Sequence, residues 1–581
     1  MIISGDNFMN YTEEYERWLN YDHLHPDMKK ELLSIQQNEE EKKFRFYSSL
    51  SFGTAGLRGK MCAGTNAINL YTIAQATQGL ASLINTIDGA AFKGVAIAYD
   101  CRHNSVDFAK CAASVLTANE IEVFLFDDMR PTPLLSFAIR ELGCVAGINI
   151  TASHNTKEYN GFKAYWEDGA QIPPEHAKTV AEYIQHTDIF SGIKQHSFEQ
   201  AQKSGFLHII DKSMDEKYLN AVLAGQVNPG IVSEMAESFR VVYSAMHGVG
   251  YKLVPEALRR MGLKHLYLVP EQCSPNGDFP SVKSPNPEFP EAHQLGVKLA
   301  QKEGASLFIA TDPDSDRIGV SARKKDGSFA MLSGNQVGAL LLEYIINSLK
   351  AANTLPKDAY VVKTIVTTEI VSRICKENHI TLYNVFTGFK FIGEKIKECE
   401  DKKTGTYIFG FEESIGYMRG TYVRDKDGVS GAVMICEMAA YYEKQGKTLW
   451  DALDDLYQKY GVYFEKTENI YMEGLDGIER MQRLMASLRK DIPSTIGTVA
   501  VLRMRDYQSQ TIYDLQTKST LPTGTQASNV LYFEMANGDN IVIRPSGTEP
   551  KIKIYYLLSA ETEEAARENF EQYTKTTALW H

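Results

Sequence analysis

Short apolar runs alternate with longer helical patterns along the first third of the chain. Runs of strand length occupy 94–99, 121–126 and 145–150. Between the first two runs, apolar residues recur at helical spacing after a polar capping residue, Asn104 or Ser105. Such alternation predicts a layered α/β unit, in which helices cover both faces of a sheet.

The same alternation recurs twice farther along the chain. Strand-like runs at 239–244 and 306–310 indicate a second unit. A helical stretch at 337–349, followed by runs at 359–366 and 406–409, indicates a third. No sequence repeat is strong enough to prove duplication, so the pattern alone predicts three successive α/β units.

Both ends of the chain depart from this pattern. Residues 1–50 are rich in Glu, Lys and Tyr and predict amphipathic helices. Near the C-terminus, strand-like runs at 530–535, 540–544 and 551–558 precede a helical stretch at 561–573. Hairpins followed by a helix predict a smaller α+β domain.

Composition narrows the class of function. The 581 residues carry a formal net charge of −12, which argues against a broad nucleic-acid surface because such surfaces cluster Lys and Arg. No signal peptide is expected from the first residues, and no apolar run is long enough to span a membrane. Its eight cysteines are scattered without a Cys-x-x-Cys pair, which favours a reducing cytoplasm. We therefore expect a cytoplasmic protein that binds neither nucleic acid nor membranes.

The segment Thr151–Lys163 follows the third strand-like run and is predicted to be a functional loop. It places a hydroxyl at Ser153, an imidazole at His154 and an amine at Lys163 within a short stretch. These groups are a nucleophile, a proton carrier and a cation. The alternative is an ordinary hairpin loop that turns at Asn160-Gly161.

The segment Thr311–Arg317 contains three aspartates directly after a strand. Asp312, Asp314 and Asp316 can direct their carboxylates at one hard divalent cation and leave sites free for a phosphate oxygen, which suits Mg²⁺. An EF-hand is excluded, because its Gly and Glu positions hold arginines here. A haloacid-type phosphatase with Asp312 as nucleophile stays open, as does a solvated acidic turn.

Three further segments offer groups that bind anions or sugars. Arg544–Lys551 combines a guanidinium, hydroxyls and free amides, which are the components of an anion nest. Glu412 and Ser414 lie two positions apart, as a pair that binds sugar hydroxyls would. Arg58, among glycines, can meet a phosphate in a bidentate manner. Each signal is weak by itself.

Five motifs in this order, FGTAGLRG, TASHNTKEYNGFK, TDPDSDR, GFEESIGY and RPSGTEPK, resemble the α-D-phosphohexomutase superfamily. The closest resemblance is to the phosphoglucomutase branch that includes phosphoglucomutase-2-like and phosphopentomutase enzymes. It implies three related α/β/α mixed-sheet domains plus a C-terminal α+β phosphate-binding domain around a central cleft. We predict an N-terminal helical segment with a phosphoserine domain over 1–205, and metal-, sugar- and phosphate-binding domains over 206–322, 323–455 and 456–581.

The resemblance also implies roles for individual residues. Ser153 matches the phosphoserine, Lys163 and Arg58 match residues near it, and His154 is expected to support it. Asp312, Asp314 and Asp316 match the Mg²⁺ ligands, with an oxygen of phosphorylated Ser153 completing the site. The residues expected to bind substrate are Arg317, Thr387, Gly388, Glu412, Ser414, Lys426, Arg544, Ser546, Gly547 and Thr548.

One position departs from part of the superfamily. The bacterial phosphomannomutase-type branch has a catalytic histidine two residues after the serine that matches Ser414. That position is Gly416 in this chain, so the histidine's role is not carried over.

The expected activity is the reversible conversion of α-D-glucose 1-phosphate to glucose 6-phosphate. It would depend on Mg²⁺ and proceed through glucose 1,6-bisphosphate, in a monomer or weak homodimer that binds small sugar phosphates. The main alternative is a phosphopentomutase acting on ribose or deoxyribose 1-phosphate. A phosphomannomutase, a sugar-bisphosphate synthase, a phosphatase using Asp312 and a non-catalytic sugar-phosphate sensor are further alternatives.

Overall fold

A computed structural model describes residues 10–54, 56–472, 477–545 and 551–580. The first described segment forms three helices: α1 Tyr11–Leu19, α2 Pro26–Ser34 and α3 Glu39–Phe46. They enclose a small core in which Tyr15, Trp18 and Phe46 are fully buried. The prediction of amphipathic N-terminal helices is confirmed for these residues.

The first sheet has six strands in the order β1-β5-β4-β2-β3-β6. The strands are β1 Leu57–Lys60, β2 Val95–Tyr99, β3 Val123–Phe126, β4 Ala146–Ile150, β5 Tyr159–Trp166 and β6 Leu207–Ile210. The helices of this region are α4 Leu70–Ile84, α5 Ala90–Lys93, α6 Ser105–Ala118, α7 Thr132–Leu142, α8 Pro174–His186 and α9 Phe198–Lys203.

The second sheet has five strands in the order β11-β10-β9-β7-β8. The strands are β7 Arg240–Ser244, β8 His265–Leu268, β9 Leu307–Thr311, β10 Ile318–Arg323 and β11 Phe329–Leu332. The helices of this region are α10 Lys212–Ala224, α11 Ile231–Glu234, α12 Gly250–Arg260, a 3₁₀ turn Pro290–His293 and α13 Gln294–Glu303.

The third sheet has four strands in the order β13-β12-β14-β15. The strands are β12 Ala359–Thr364, β13 Thr381–Val385, β14 Thr406–Glu412 and β15 Gly416–Met418. The helices of this region are α14 Gly334–Ala351, α15 Ile370–Glu377, α16 Phe389–Lys402, α17 Gly428–Lys444 and α18 Leu449–Tyr460.

Four strands of each of these sheets share one topology. In each set, the first strand pairs in parallel with the second strand on one side and with the third strand on the other. The third strand also pairs with a fourth strand, which is antiparallel to it. In that order the equivalent sets are β2, β3, β4, β5; β7, β8, β9, β10; and β12, β13, β14, β15. This repetition confirms three related α/β units, and the turn from the third strand to the fourth recurs in each.

The fourth sheet is antiparallel, in the order β16-β23-β22-β21-β18-β19-β20, with β17 paired to β18. Its strands are β16 Val462–Tyr471, β17 Thr495–Ile496, β18 Val499–Asp506, β19 Thr511–Asp514, β20 Ser519–Pro522, β21 Leu531–Met535, β22 Asn540–Pro545 and β23 Lys551–Ala560. Helices α19 Gly477–Lys490 and α20 Glu563–Thr577 and a 3₁₀ turn Ala578–Trp580 complete the predicted α+β domain.

The apolar core links the first three units. One cluster of buried side chains extends from Ala96 in the first sheet to Tyr463, whereas the fourth domain has its own core around Phe533 and Tyr556. The predicted boundaries at 205 and 322 stay predictions; strands β6 and β11, which complete the first and second sheets, lie just beyond them. Among the described residues, no helix combines the length and apolar character needed to cross a membrane.

The segment Thr151–Lys163 is only partly a loop. Asn160 and Gly161 lie within β5 and do not form a hairpin turn, so that alternative was wrong. Lys163 lies on the same strand, opposite Asn149 of β4. The functional loop therefore ends before β5, and the strand fixes the position of the lysine.

Candidate active site

Ser153 lies in the turn from β4 to β5, at the carboxyl end of the first sheet. Its backbone has a φ of 51°, in the left-handed region that serine seldom adopts. The Ser153 N–H donates to Thr151 Oγ1 at 2.9 Å, and the Ser153 Oγ donates to Asp312 Oδ2 at 2.9 Å. The candidate nucleophile of the first unit thus touches the aspartate loop of the second.

Asp312, Asp314 and Asp316 form a compact acidic cluster in the equivalent turn of the second unit. Each offers one carboxylate oxygen, and these oxygens lie within 4.8 Å of one another. Burial and repulsion from the other two carboxylates raise the pKa of Asp312 well above its ordinary value. Oδ1 of Asp314 and Oδ1 of Asp316 are buried and have no hydrogen-bond partner among the described residues. Unpartnered, crowded carboxylate oxygens fit a hard divalent cation.

Lys163 balances part of this negative charge. Its Nζ lies 2.8 Å from Asp314 Oδ2 and 3.6 Å from Asp316 Oδ2. Burial alone would lower the pKa of Lys163, but the two carboxylates raise it above its ordinary value. In return, and against the effect of burial, Lys163 holds the pKa of Asp314 below its ordinary value. Lys163 is therefore held as an ammonium ion.

Arg58 and His154 flank the serine. The Arg58 guanidinium, on β1, donates to Asn155 Oδ1 at 2.9 Å. The His154 Nδ1 lies 3.3 Å from Ser153 Oγ. Burial, together with the positive charges of Arg317 and Arg58, holds the pKa of His154 well below its ordinary value. A neutral ring suits the expected supporting role better than that of a proton carrier.

The third unit contributes Glu412, at the end of β14, and Ser414, in the turn to β15. Glu412 is 5% exposed, and burial raises its pKa above the ordinary value. Thr387 and Gly388 precede helix α16, and the buried Thr387 Oγ1 has no hydrogen-bond partner among the described residues. The oxygens of these side chains are suited to sugar hydroxyls.

Lys426 reaches from the third unit towards the aspartates. Its Nζ lies 3.3 Å from Asp316 Oδ2 and 3.2 Å from Asp425 Oδ1. Gly416 makes this possible, because a Cβ atom there would lie 2.3 Å from Lys426 Cδ. A larger side chain at position 416 would displace Lys426, so the buried position of this lysine requires a glycine there.

Arg317 and Arg544 add two guanidinium groups. Arg317 NH1 lies 3.5 Å from Glu288 Oε2, and its buried Nε has no partner among the described residues. Arg544, on β22, is paired in register with Lys553 on β23. Ser546, Gly547 and Thr548, predicted to bind phosphate, lie outside the described residues.

These residues meet in one cleft of about 570 Å³. The predicted residues that line it are Arg58, Ser153, His154, Lys163, Asp316, Arg317, Thr387, Gly388, Glu412, Ser414, Lys426 and Arg544. Asp312 and Asp314 lie buried beneath its wall. Lys390 Nζ donates to Thr54 Oγ1 at 2.7 Å, which connects the third unit to the first.

Several residues that support the site were not found from sequence. Thr132 Oγ1 donates to Asp314 Oδ2 at 2.8 Å, and Asn149 Nδ2 donates to Thr132 Oγ1 at 2.7 Å. Tyr165 OH donates to Asp425 Oδ2 at 3.0 Å. The two-residue period of a strand could have indicated Tyr165, which follows Lys163 on β5. Thr132 carries no comparable signal.

Family models match the three α/β units separately. Models described as phosphoglucomutase/phosphomannomutase alpha/beta/alpha domains I, II and III match residues 49–189, 216–327 and 333–460. The chain belongs to the phosphoglucomutase/phosphomannomutase family. The expected superfamily is thereby confirmed.

Individual relatives agree with this membership. A phosphoglucomutase of Staphylococcus aureus strain N315 is 36% identical over 523 residues, which cover 90% of this chain and 92% of the relative. A putative phosphomannomutase of Thermus thermophilus superimposes with a TM-score of 0.66 at 20% identity, covering 92% of this chain and 99% of that one. The open form of the Paramecium phosphoglucomutase pp63/parafusin gives 0.65 at 17% identity, covering 92% and 96%. The two structures show a shared fold.

Glu465, on β16, lines the cleft. Its ionisation should make the stability of the folded protein depend on pH. Its Oε1 is buried without a partner among the described residues, and burial raises its pKa from 4.5 to about 7. The unfolded chain releases this proton near pH 4.5 and the folded protein only near pH 7, so stability falls as pH rises between the two values. Glu465→Gln carries no such proton, so its stability relative to the wild type should be roughly 2.5 kcal/mol greater at pH 8 than at pH 5.

Urea unfolding of both proteins at the two pH values measures this difference. The exposed Glu563→Gln on helix α20 is the control. A difference between wild type and Glu465→Gln that does not change with pH would contradict the raised pKa.

Proposed function

We propose that this chain is a phosphoglucomutase that interconverts α-D-glucose 1-phosphate and glucose 6-phosphate. One observation carries the proposal: a serine hydroxyl lies 2.9 Å from a buried aspartate triad, in a cleft that is also lined by the side chains predicted to bind sugar and phosphate. The relative with 36% identity, named phosphoglucomutase, supports the choice of sugar. The proposed cofactors are Mg²⁺ and glucose 1,6-bisphosphate, and the proposed location is the cytoplasm.

In the first half-reaction, phosphorylated Ser153 faces the C6 hydroxyl of glucose 1-phosphate. The hydroxyl oxygen forms a bond to phosphorus as the bond from phosphorus to Ser153 Oγ breaks. The product is glucose 1,6-bisphosphate; the C6 hydroxyl loses its proton and Ser153 Oγ gains one. Lys163, an ammonium buried within reach of the same loop, is the proposed carrier: it gives a proton to Ser153 Oγ and regains the one that the C6 hydroxyl loses.

Charge control is the main demand of this reaction, because phosphoserine and substrate phosphate are both anions. Arg58, Lys163 and Arg317 surround the position of Ser153 with positive charge. Mg²⁺ held by Asp312, Asp314 and Asp316 would supply a Lewis acid that neutralises charge on the transferring phosphoryl group.

In the second half-reaction the bisphosphate returns its C1 phosphoryl group to Ser153 and leaves glucose 6-phosphate. The sugar must turn around between the two steps while its other phosphate stays bound. Glu412, Ser414, Arg544 and Lys553 all line the cleft. These groups are placed to hold the sugar hydroxyls and the distal phosphate in either orientation.

The test is a substrate comparison with purified protein. Glucose, mannose and ribose 1-phosphates would each be supplied with Mg²⁺ and a trace of the matching bisphosphate, and products would be followed by ³¹P NMR. We expect glucose 6-phosphate to form with the highest kcat/KM. Faster conversion of ribose 1-phosphate would instead indicate a phosphopentomutase, and inorganic phosphate as the main product would indicate a phosphatase that uses Asp312.

A further inference from the structure

The loop that carries Ser153 needs support from behind. The serine is held at a positive φ, and several carbonyl groups of the loop point away from the cleft into the protein. Buried carbonyl oxygens must find donors, and an unusual backbone conformation persists only where its surroundings impose it. The donors that meet this need come from outside the segment between β4 and β5.

Arg102, in the turn from β2 to α6, supplies these donors. Its NH2 group donates to the carbonyl oxygens of Ser153 and Asn155 at 2.6 and 2.5 Å. Its NH1 group donates to the carbonyl oxygens of Thr156 and Tyr159, both at 2.9 Å. One guanidinium therefore binds both ends and the middle of the loop, and its side chain has no exposed surface.

Asp100 fixes this guanidinium and the start of the loop together. Its Oδ2 lies 3.2 Å from Arg102 Nε and accepts a hydrogen bond from Thr151 Oγ1 at 2.6 Å. Thr151 Oγ1 in turn accepts from the Ser153 N–H. The four carbonyl bonds use four N–H groups of the arginine, and its Nε faces Asp100 as an ion pair. A lysine, with three N–H donors on one atom, could not reproduce this set.

A loop of the second unit also packs against Arg102. The Phe279 ring centroid lies 5.0 Å from Arg102 Cζ, and Phe279 is 2% exposed. Gly277 packs so closely against the segment that carries Arg102 that a Cβ atom there would lie 2.8 Å from the backbone nitrogen of His103. Asp278 Oδ1 lies 3.3 Å from His103 Nε2 and forms an ion pair with Lys157 at 3.4 Å.

We infer that Arg102 is a positioning residue for Ser153 and that Phe279 keeps it in place. The inference rests on the proposed function. Because the ring belongs to the second unit, the alignment of the nucleophile depends on contact between the two units that supply the serine and the aspartates. Arg102 touches only the backbone of the loop and acts on the reaction through Ser153.

Arg102→Lys and the milder Phe279→Leu test this inference. We expect kcat to fall on the order of 100-fold in Arg102→Lys, because displacement of a reacting group by about 1 Å has an effect of that size. Phe279→Leu should lower kcat on the order of 10-fold, since the ring acts one contact farther away. KM for glucose 1-phosphate should stay within about twofold, because the side chains that bind substrate are unchanged.

The decisive measurement is a single turnover. Enzyme phosphorylated with glucose 1,6-bisphosphate would be mixed with glucose 1-phosphate, and transfer from Ser153 would be followed by rapid quench. A positioning role predicts a slower rate at full amplitude. A wild-type rate with only a reduced amplitude and melting temperature would show that Arg102 serves folding alone and would overturn the inference.

Two controls separate the possible failures. Arg45→Lys replaces another largely buried arginine, paired with Glu31 and Glu41, and Phe329→Leu replaces a phenylalanine of the second unit on the edge strand β11. Both should retain the wild-type transfer rate. Wild-type protein that fails to interconvert the sugar phosphates would refute the proposed function itself, whereas an active wild type with unimpaired Arg102 and Phe279 variants would refute only this inference.

Discussion

Ser153→Ala should lower kcat for sugar-phosphate interconversion by roughly 10⁴- to 10⁶-fold, which is the effect expected when a covalent nucleophile is lost. The Ser153 Oγ is the hydroxyl in contact with the aspartate triad. Binding of glucose 1-phosphate should persist, because the variant leaves Arg58, Glu412 and Arg544 unchanged. Coupled kinetics gives kcat, and isothermal titration calorimetry gives the affinity.

Ser328→Ala, in an exposed turn of the second unit, is the matched control and should retain full activity. Mass spectrometry after incubation with glucose 1,6-bisphosphate should find one added phosphoryl group on the wild type and none on Ser153→Ala. Near-normal turnover in the alanine variant would place the nucleophile elsewhere, most directly at Asp312.

Mg²⁺ should stabilise the folded wild type, and Asp312→Asn should remove that stabilisation. Three buried carboxylates with oxygens within 4.8 Å repel one another until a cation joins them. A ligand at 100 times its Kd stabilises the folded state by about 2.7 kcal/mol. Asp312→Asn removes one of the three candidate ligand side chains, so added Mg²⁺ should raise its melting temperature far less than that of the wild type.

Differential scanning calorimetry with EDTA and with Mg²⁺ would show this difference in response. EDTA should also abolish turnover of the wild type, and added Mg²⁺ should restore it. Asp326→Asn, which removes an exposed aspartate of the same unit, should respond to Mg²⁺ like the wild type. An equal response in Asp312→Asn would show that Mg²⁺ binds outside the triad.

Much of the fold could be predicted from sequence because hydrophobic period and strand length are local properties. The run 145–150 predicted a strand, and β4 spans Ala146–Ile150. The polar segments after such runs predicted Ser153 and the three aspartates for the same reason, since ligand groups collect at the carboxyl ends of parallel strands. The shared topology was harder to predict, because the three units repeat the order of their strands but not their amino-acid sequence.

The rest of the site depends on contacts between distant parts of the chain. The sequence assigned no role to Arg102, although its guanidinium binds a carbonyl 51 positions away. Lys163 was assigned to a loop, but pairing between β4 and β5 fixes it on a strand. Spacing along the sequence cannot show which buried carbonyl groups need a donor. Which carbonyl groups are buried, and therefore require a hydrogen-bond donor, is determined only by the folded backbone around them.

The turn from the third strand to the fourth occurs three times and performs three different tasks. In the first unit it carries Ser153, in the second the aspartates, and in the third it follows Glu412 and contains Ser414. In the proposed function, recognition of the sugar is thus built on a separate copy of the element that performs the chemistry. Mutations in the third copy could change which sugar is accepted while the phosphoryl-transfer apparatus stays intact. Such a division gives evolution a way to diversify substrates within one reaction mechanism.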